Sequence, residues 1–254
     1  MRCPYKIKAV VLFIFCSILF GVPFSGARAE LELKDLKFIT EENPPSNFVK
    51  NGKIGGIAPE LLSLIWQQLG QTNLVIKVLP WARGYLYLQS RPGTVLFSTT
   101  RTEKRDALGF KWAGPIKTNK IVLLARRDAK IRISSVEEAK KYRIGSIIKD
   151  IGEHLLISAG IKESNLTRVS TLRSLVRMLE ADRIQLAAKG WENLMGALKT
   201  EKYNLDDYEI AFELKSSHQY FAFHKATPDH IVIRFQNAID NLKDQHEAII
   251  RKFR

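Results

Sequence analysis

Two short stretches hold the side chains best suited to gripping a small molecule. In Ser98-Thr99-Thr100-Arg101-Thr102-Glu103-Lys104-Arg105, hydroxyls and a guanidinium follow directly on the apolar run Val95-Leu96-Phe97. A guanidinium offers a planar, two-pronged grip on a carboxylate that an ammonium cannot reproduce. Ser98 and Thr100 stand at the carboxyl end of a buried strand, the place where open α/β sheets bind ligands. By residue type alone, Arg105 fits a solvated helix surface equally well, because basic side chains are mostly exposed. In Pro80-Trp81-Ala82-Arg83, Trp81 can stack on a ligand and Arg83 can reach an anionic group. The same pair fits a core Trp with Arg83 lying over it. His154, His218, His224, His230 and His246 show no metal-ligand spacing. There is no Gly-rich phosphate loop and no Gly-x-Ser-x-Gly elbow, and nothing calls for a cofactor.

The amino terminus reads as a targeting segment. Arg2, Lys6 and Lys8 precede the apolar run Ala9 to Phe20, Gly21 and Pro23 break that run, and Ala27-Arg28-Ala29 has the small-x-small form of a cleavage site. The run falls short of the roughly 20 residues a spanning helix wants. Cys16 lies inside it with no small residues before it, which is not a lipoprotein arrangement. Cleavage after Ala29 removes both cysteines, so thiol chemistry and Cys-based metal sites are excluded from the mature chain. It also removes four basic residues and no acid, lowering the formal charge from +14 to +10. The remaining Lys and Arg are spread among acids, as in Glu137-Glu138-Ala139-Lys140-Lys141, with no basic run. That pattern favours a solvated basic surface with a bias toward anionic ligands over a nucleic-acid interface.

Short apolar runs alternate with helical periodicity throughout, which predicts an α/β fold with largely parallel sheets. Strands are expected at 36–40, 74–79, 95–97, 121–125, 143–147, 166–169, 184–188, 208–214 and 220–223. Helices are expected from Pro59 to Gly70, over 81–89, from a Ser134 capping box, from Asp150 to Gly160, over 172–181 with Thr171 as cap, over 191–198, and as a tail over 228–253. Asn43-Pro44-Pro45-Ser46-Asn47, Asn51-Gly52-Lys53 and Gly55-Gly56 mark a loop rich in turn formers.

In this order and spacing the chain resembles the amino-acid-type, or family 3, extracellular solute-binding proteins. Glu42-Asn43-Pro44-Pro45-Ser46-Asn47-Phe48 and then Asn51-Gly52-Lys53-Ile54-Gly55-Gly56-Ile57-Ala58-Pro59-Glu60-Leu61-Leu62 look like the family's opening. Ser98 to Arg105 resembles its ligand-gripping segment, and Phe110-Lys111-Trp112-Ala113-Gly114-Pro115 the approach to its hinge. Phe221-Ala222-Phe223-His224-Lys225 fits its C-terminal part. The resemblance implies a two-lobed type II clamp joined by two crossing hinge strands. Lobe one would hold 30–118 plus 217–254, and lobe two 119–216, with a solute bound between them.

It further implies that Arg105 pairs with a ligand carboxylate, oriented by Ser98 and Thr100. The family's amine-binding Asp would fall near Gly190 and is missing; Glu192 is the residue placed to replace it, or the ligand lacks an α-amine. At Lys149-Asp150-Ile151, where relatives carry Ser or Thr, Asp150 is expected to be a helix N-cap. The implied function is periplasmic capture of a small carboxylate-bearing solute for an inner-membrane ABC permease, by a monomer without metal or nucleic acid. The alternatives are a sensor working through a separate membrane receptor, since the chain ends at Arg254 without an output domain, and an enzyme resembling cyclohexadienyl dehydratase with Glu192 as its acid.

Overall fold

The computed structural model describes residues 31–253. The expected signal segment and cleavage after Ala29 lie outside the described residues. Strand β1 (Lys37–Thr40) pairs in parallel with β4 (Ile76–Val78) on one side and β5 (Thr94–Thr100) on the other. Helices α1 (Ile57–Gln68) and α2 (Trp81–Ser90) make the crossovers. Between β1 and α1, β2 (Phe48–Lys50) and β3 (Lys53–Gly55) form a hairpin. Its turn places Asn51 and Gly52 at φ 51° and 72°, the left-handed pair that a two-residue hairpin loop requires.

After the single turn α3 (Glu103–Asp106) comes β6 (Lys111–Arg126), and near the end of the chain its antiparallel partner β10 (Tyr208–Phe223). Between them lie β7 (Ile144–Ile147), α4 (Ile151–Ser158), β8 (Leu166–Val169), α5 (Leu172–Glu180), β9 (Leu186–Gly190) and α6 (Trp191–Thr200). The eight strands run β4-β1-β5-β10-β6-β9-β7-β8. Two parallel wings therefore flank one long antiparallel pair. The end of β10 borders β5, while residues 121–124 of β6 border β9. Helices α7 (Asp229–Asn241) and α8 (Lys243–Lys252) return to the first wing, where Phe235 packs edge-on against Phe221 and Phe223.

The structure departs from the sequence expectations where backbone pairing outlasts side-chain pattern. The expected strand 121–125 is the end of sixteen-residue β6, and the two late strands are one sixteen-residue β10. Each continues through polar residues because its partner supplies the hydrogen bonds. The first helix starts at Ile57 rather than Pro59, so the proline lies in the first turn, where its missing N–H is not needed. Gly56 precedes it at φ 117°, where a Cβ would meet the Ser46 carbonyl at 2.6 Å. Glu138, not Glu137, accepts from the Ser134 N–H, and the turn that follows is a 3-10 helix. The C-terminal tail breaks at Leu242 into two helices. Thr171 caps α5 as expected, accepting from the Ser174 N–H.

Candidate functional site

The carboxyl ends of β1, β5, β7 and β9 point toward one another from the two wings, and four ionisable side chains meet beyond them. Glu41 follows β1, Lys189 sits near the end of β9, Asp150 precedes α4, and Arg105 comes from α3. All four are buried. Lys189 Nζ lies 3.0 Å from Glu41 Oε1 and 3.1 Å from Asp150 Oδ2, so one ammonium bridges carboxylates from opposite wings. Burial pulls the Lys189 pKa down, but Asp150 and Glu41 outweigh it, and the ammonium is held above its ordinary value. Burial pushes the Glu41 carboxyl up; the Lys189 ammonium pulls it back only in part, and the negative charge of Asp150 pushes it up further.

Arg105 is held differently. It donates to the Thr100 carbonyl at 2.6 Å and reaches the Lys149 carbonyl at 3.5 Å. Its guanidinium lies 5.0 Å from the Trp81 ring centroid and 5.3 Å from that of Tyr85, and those two rings stack at 5.7 Å. Trp81 is anchored in turn by donating its indole N–H to the Lys149 carbonyl at 2.8 Å. Among the described residues no carboxylate forms an ion pair with Arg105. Burial lowers its pKa, with the charge of Asp150 opposing, and the guanidinium nonetheless remains a cation.

Further polar contacts join the wings. The Asn193 side-chain amide donates to the carbonyls of Asn43 and Pro44 at 3.2 and 3.1 Å and to Ser46 Oγ at 3.3 Å. Gly196 lets α6 approach so closely that a Cβ there would lie 2.7 Å from the Pro44 carbonyl. Beside Glu41 a cleft of about 300 Å³ opens between Pro44, Leu79 and Pro80 on one wing and Thr171 and Arg173 on the other.

The model of the bacterial extracellular solute-binding proteins, family 3, matches residues 36–253. The chain belongs to that family. Among curated proteins, none matches. Solved structures share the fold at low identity. A histidine kinase sensor domain similar to periplasmic binding proteins superposes with a TM-score of 0.76 at 21% identity, covering 86% of this chain and 95% of that one. A mutant of ArgBP from T. maritima gives 0.75 at 19%, covering 87% and 95%. The arginine-, lysine-, histidine-binding protein ArtJ from Geobacillus stearothermophilus gives 0.74 at 16%, covering 85% and 94%. The family and these neighbours are mostly binding proteins, and the mixed α/β sheet is that of the type II periplasmic binding proteins.

Within this family 3 protein, the residues singled out from sequence fall into two groups. Arg105, Thr100 and Trp81 come together at the junction of the wings. Ser98 is close by, buried at φ 58°, its hydroxyl donating to Asn47 Oδ1. Arg83 is exposed on α2 and does not join them. Glu192, on the first turn of α6, is ion-paired with Lys117, its side chain 49% exposed. Asp150 corrects an expectation: it precedes α4, but its side chain makes no capping bond and faces Lys189 instead. Glu153 takes the neighbouring task, accepting from the Lys149 N–H at 2.6 Å while paired with Arg168.

Glu41, Lys189, Tyr85 and Asn193 were not picked out from the sequence. The one local signal was a lysine inside the otherwise small and apolar run Leu186–Gly190, every residue of which is buried. A lysine there needs carboxylate partners, and those come from residues 148 and 39 positions away. Among the described residues, no group of three or more His, Cys, Asp or Glu could hold a metal ion, and no helix is long and apolar enough to cross a membrane.

Proposed function

We propose that this protein is a periplasmic clamp that captures a small carboxylate-bearing solute between two lobes and delivers it to an ABC permease. The observation that carries the reading is Arg105, a buried guanidinium braced by two aromatic rings and two carbonyls, with no carboxylate of the described chain paired to it. A buried cation in that state gains most from an anion presented in the plane of its donors. Thr100 and Ser98 fix the strand end on which that anion would rest, and Trp81 with Tyr85 forms the wall beside it. The lobes are 30–118 plus 217–254 and 119–216, with β6 and β10 as hinge strands; their pairing shifts register between Gln219 and Phe221, next to the boundary. The signal segment, cleaved after Ala29, would take the chain to the periplasm.

A second reading, free-standing sensing, draws on the sensor domain of a histidine kinase that shares this fold. The dehydratase alternative would need Glu192 as an acid in the cleft, and its pairing with Lys117 opposes that role.

The test is a thermal-shift screen on protein unfolded and refolded to strip bound solute, against amino acids, other small carboxylates, polyamines and prephenate. A carboxylate present at about 100 times its Kd adds about 2.7 kcal/mol and raises Tm by about 5–10 °C. A panel in which no carboxylate shifts Tm overturns the reading. With a hit in hand, loss of its uptake on deleting the gene supports transport, and unchanged uptake supports sensing.

A further inference from the structure

We propose that closure of the two wings is linked to a proton: bringing Glu41 of one wing against Asp150 and Lys189 of the other takes up a proton on the Glu41 carboxyl. The linkage rests on the hinged, two-lobed clamp proposed above and is independent of which solute that clamp takes.

Two carboxylates and one ammonium meet where the wings join. Lys189 Nζ lies 3.0 Å from Glu41 Oε1 and 3.1 Å from Asp150 Oδ2, yet Asp150 Oδ2 receives no hydrogen bond from the described residues. All three groups are more than nine-tenths buried. With both acids ionised, the trio carries one net negative charge out of reach of bulk water. A buried carboxyl without full compensation sheds its charge by taking up a proton. Of the two acids, Glu41 is the one that crosses the junction. It follows β1, whereas Asp150 and Lys189 both belong to the opposite wing. Opening leaves Asp150 with its ammonium and returns Glu41 to water; closing buries Glu41 against a pair that is already neutral.

The groups around Glu41 agree with that direction. Burial is the largest influence and raises its pKa; Asp150 adds to the rise, and Lys189 and Arg105 oppose it without cancelling it. Arg105, the fourth buried charge, is turned to the Thr100 and Lys149 carbonyls and to two aromatic rings. On the cleft side of Glu41 stand Glu42, Arg173 and Glu201, and Arg173 is paired with Glu201 at 2.6 Å. A carboxyl whose pKa rises on closing favours the closed form fully below its ordinary value. That contribution is lost as pH rises through the raised value. Lys189, held above its ordinary value, does not titrate in this range. His154 on α4 has the opposite sign. Its pKa is held down by burial, by Lys104 and Arg105 of the other wing, and by Lys215, so its protonation opposes closing. Compaction on acidification therefore belongs to Glu41 and not to His154.

Small-angle X-ray scattering at pH 7.5 and pH 5, on protein unfolded and refolded to strip bound solute, reads the opening. Wild type is compared with Glu41→Gln, whose side chain is neutral at both pH values, so that His154 and the other titrating groups cancel in the difference. A compact chain of this size has a radius of gyration of about 17–18 Å. Glu41→Gln is expected to be that compact throughout, and wild type to be larger at pH 7.5 and to converge on the variant at pH 5. Equal radii at pH 7.5, or a difference that does not shrink toward pH 5, overturn the linkage. Either result leaves the carboxylate reading standing, since the thermal-shift screen decides that separately. Asp150→Asn gives Glu41 sole use of the Lys189 ammonium, and this variant is also expected to be compact at pH 7.5. A radius matching wild type in that variant overturns the role of the shared ammonium. Should Glu41→Gln fail to fold by circular dichroism, Asp150→Asn carries the same comparison.

Discussion

Replacing Lys189 by Met tests the charge network without reference to any ligand. The substitution keeps most of the side chain's bulk and deletes the ammonium that bridges Glu41 and Asp150. Removing one partner of a buried ion pair strands the other, at about 3–5 kcal/mol. For a chain of this size each kcal/mol moves Tm by about 2–4 °C, so the expected loss is about 6–20 °C at neutral pH. The effect must depend on pH, with a defined sign. Burial already raises the Glu41 pKa, so in the folded state its protonated form is favoured; that contribution is full below the unfolded value and is lost as pH rises through the folded one. Without Lys189 the Glu41 carboxyl loses its counter-charge, and the folded state prefers it protonated more strongly still. The Tm deficit should therefore be large at pH 7.5 and shrink toward pH 5, where protonation of Glu41 relieves its stranded charge. Adding Glu41→Gln to Lys189→Met should recover part of the loss at pH 7.5. The exposed pair Arg143–Asp182, with side chains 53% and 78% accessible, serves as the control; breaking it should cost no more than about 1 kcal/mol. The assay is thermal unfolding by circular dichroism across that pH range. A Lys189→Met protein melting within about 2 °C of wild type at pH 7.5, or showing the same deficit at pH 5, would refute the reasoning.

Arg105→Ala should cost about 2–5 kcal/mol in affinity for whichever carboxylate the screen identifies, measured by calorimetry; unchanged affinity would remove Arg105 as the anchor. Gly196→Ala places a Cβ 2.7 Å from the Pro44 carbonyl. It should weaken solute binding by about 1–3 kcal/mol by pushing α6 off the opposite wing, and binding equal to wild type would show that this approach is not used in closure. Phe235→Ala removes a fully buried ring in contact with Phe38, Phe221 and Phe223. Urea unfolding should show a loss of about 3–5 kcal/mol.

By itself, the sequence determined the elements and their class. Periodicity placed helices such as 172–181, which spans residues 172–180 in the structure, because an amphipathic face, a capping Thr171 and flanking turn residues are all local facts. The order of strands and helices, with the spacing of the Ser98 to Arg105 segment, sufficed for the family that the match over residues 36–253 bears out. Long-range pairing was decided by the tertiary structure alone. The polar middles of β6 and β10 become strand only because each lies beside the other, and no local pattern records that. The same holds at the site. Arg105 and Trp81 belong to segments whose residue types announce a grip. Glu41, Asp150 and Lys189 are an unremarked acid, an apparent helix cap and a lysine among alanines until folding brings their strand ends together. A charge is tolerable in a buried strand only when another element supplies its partner, and that partner is chosen by topology rather than by neighbours in sequence.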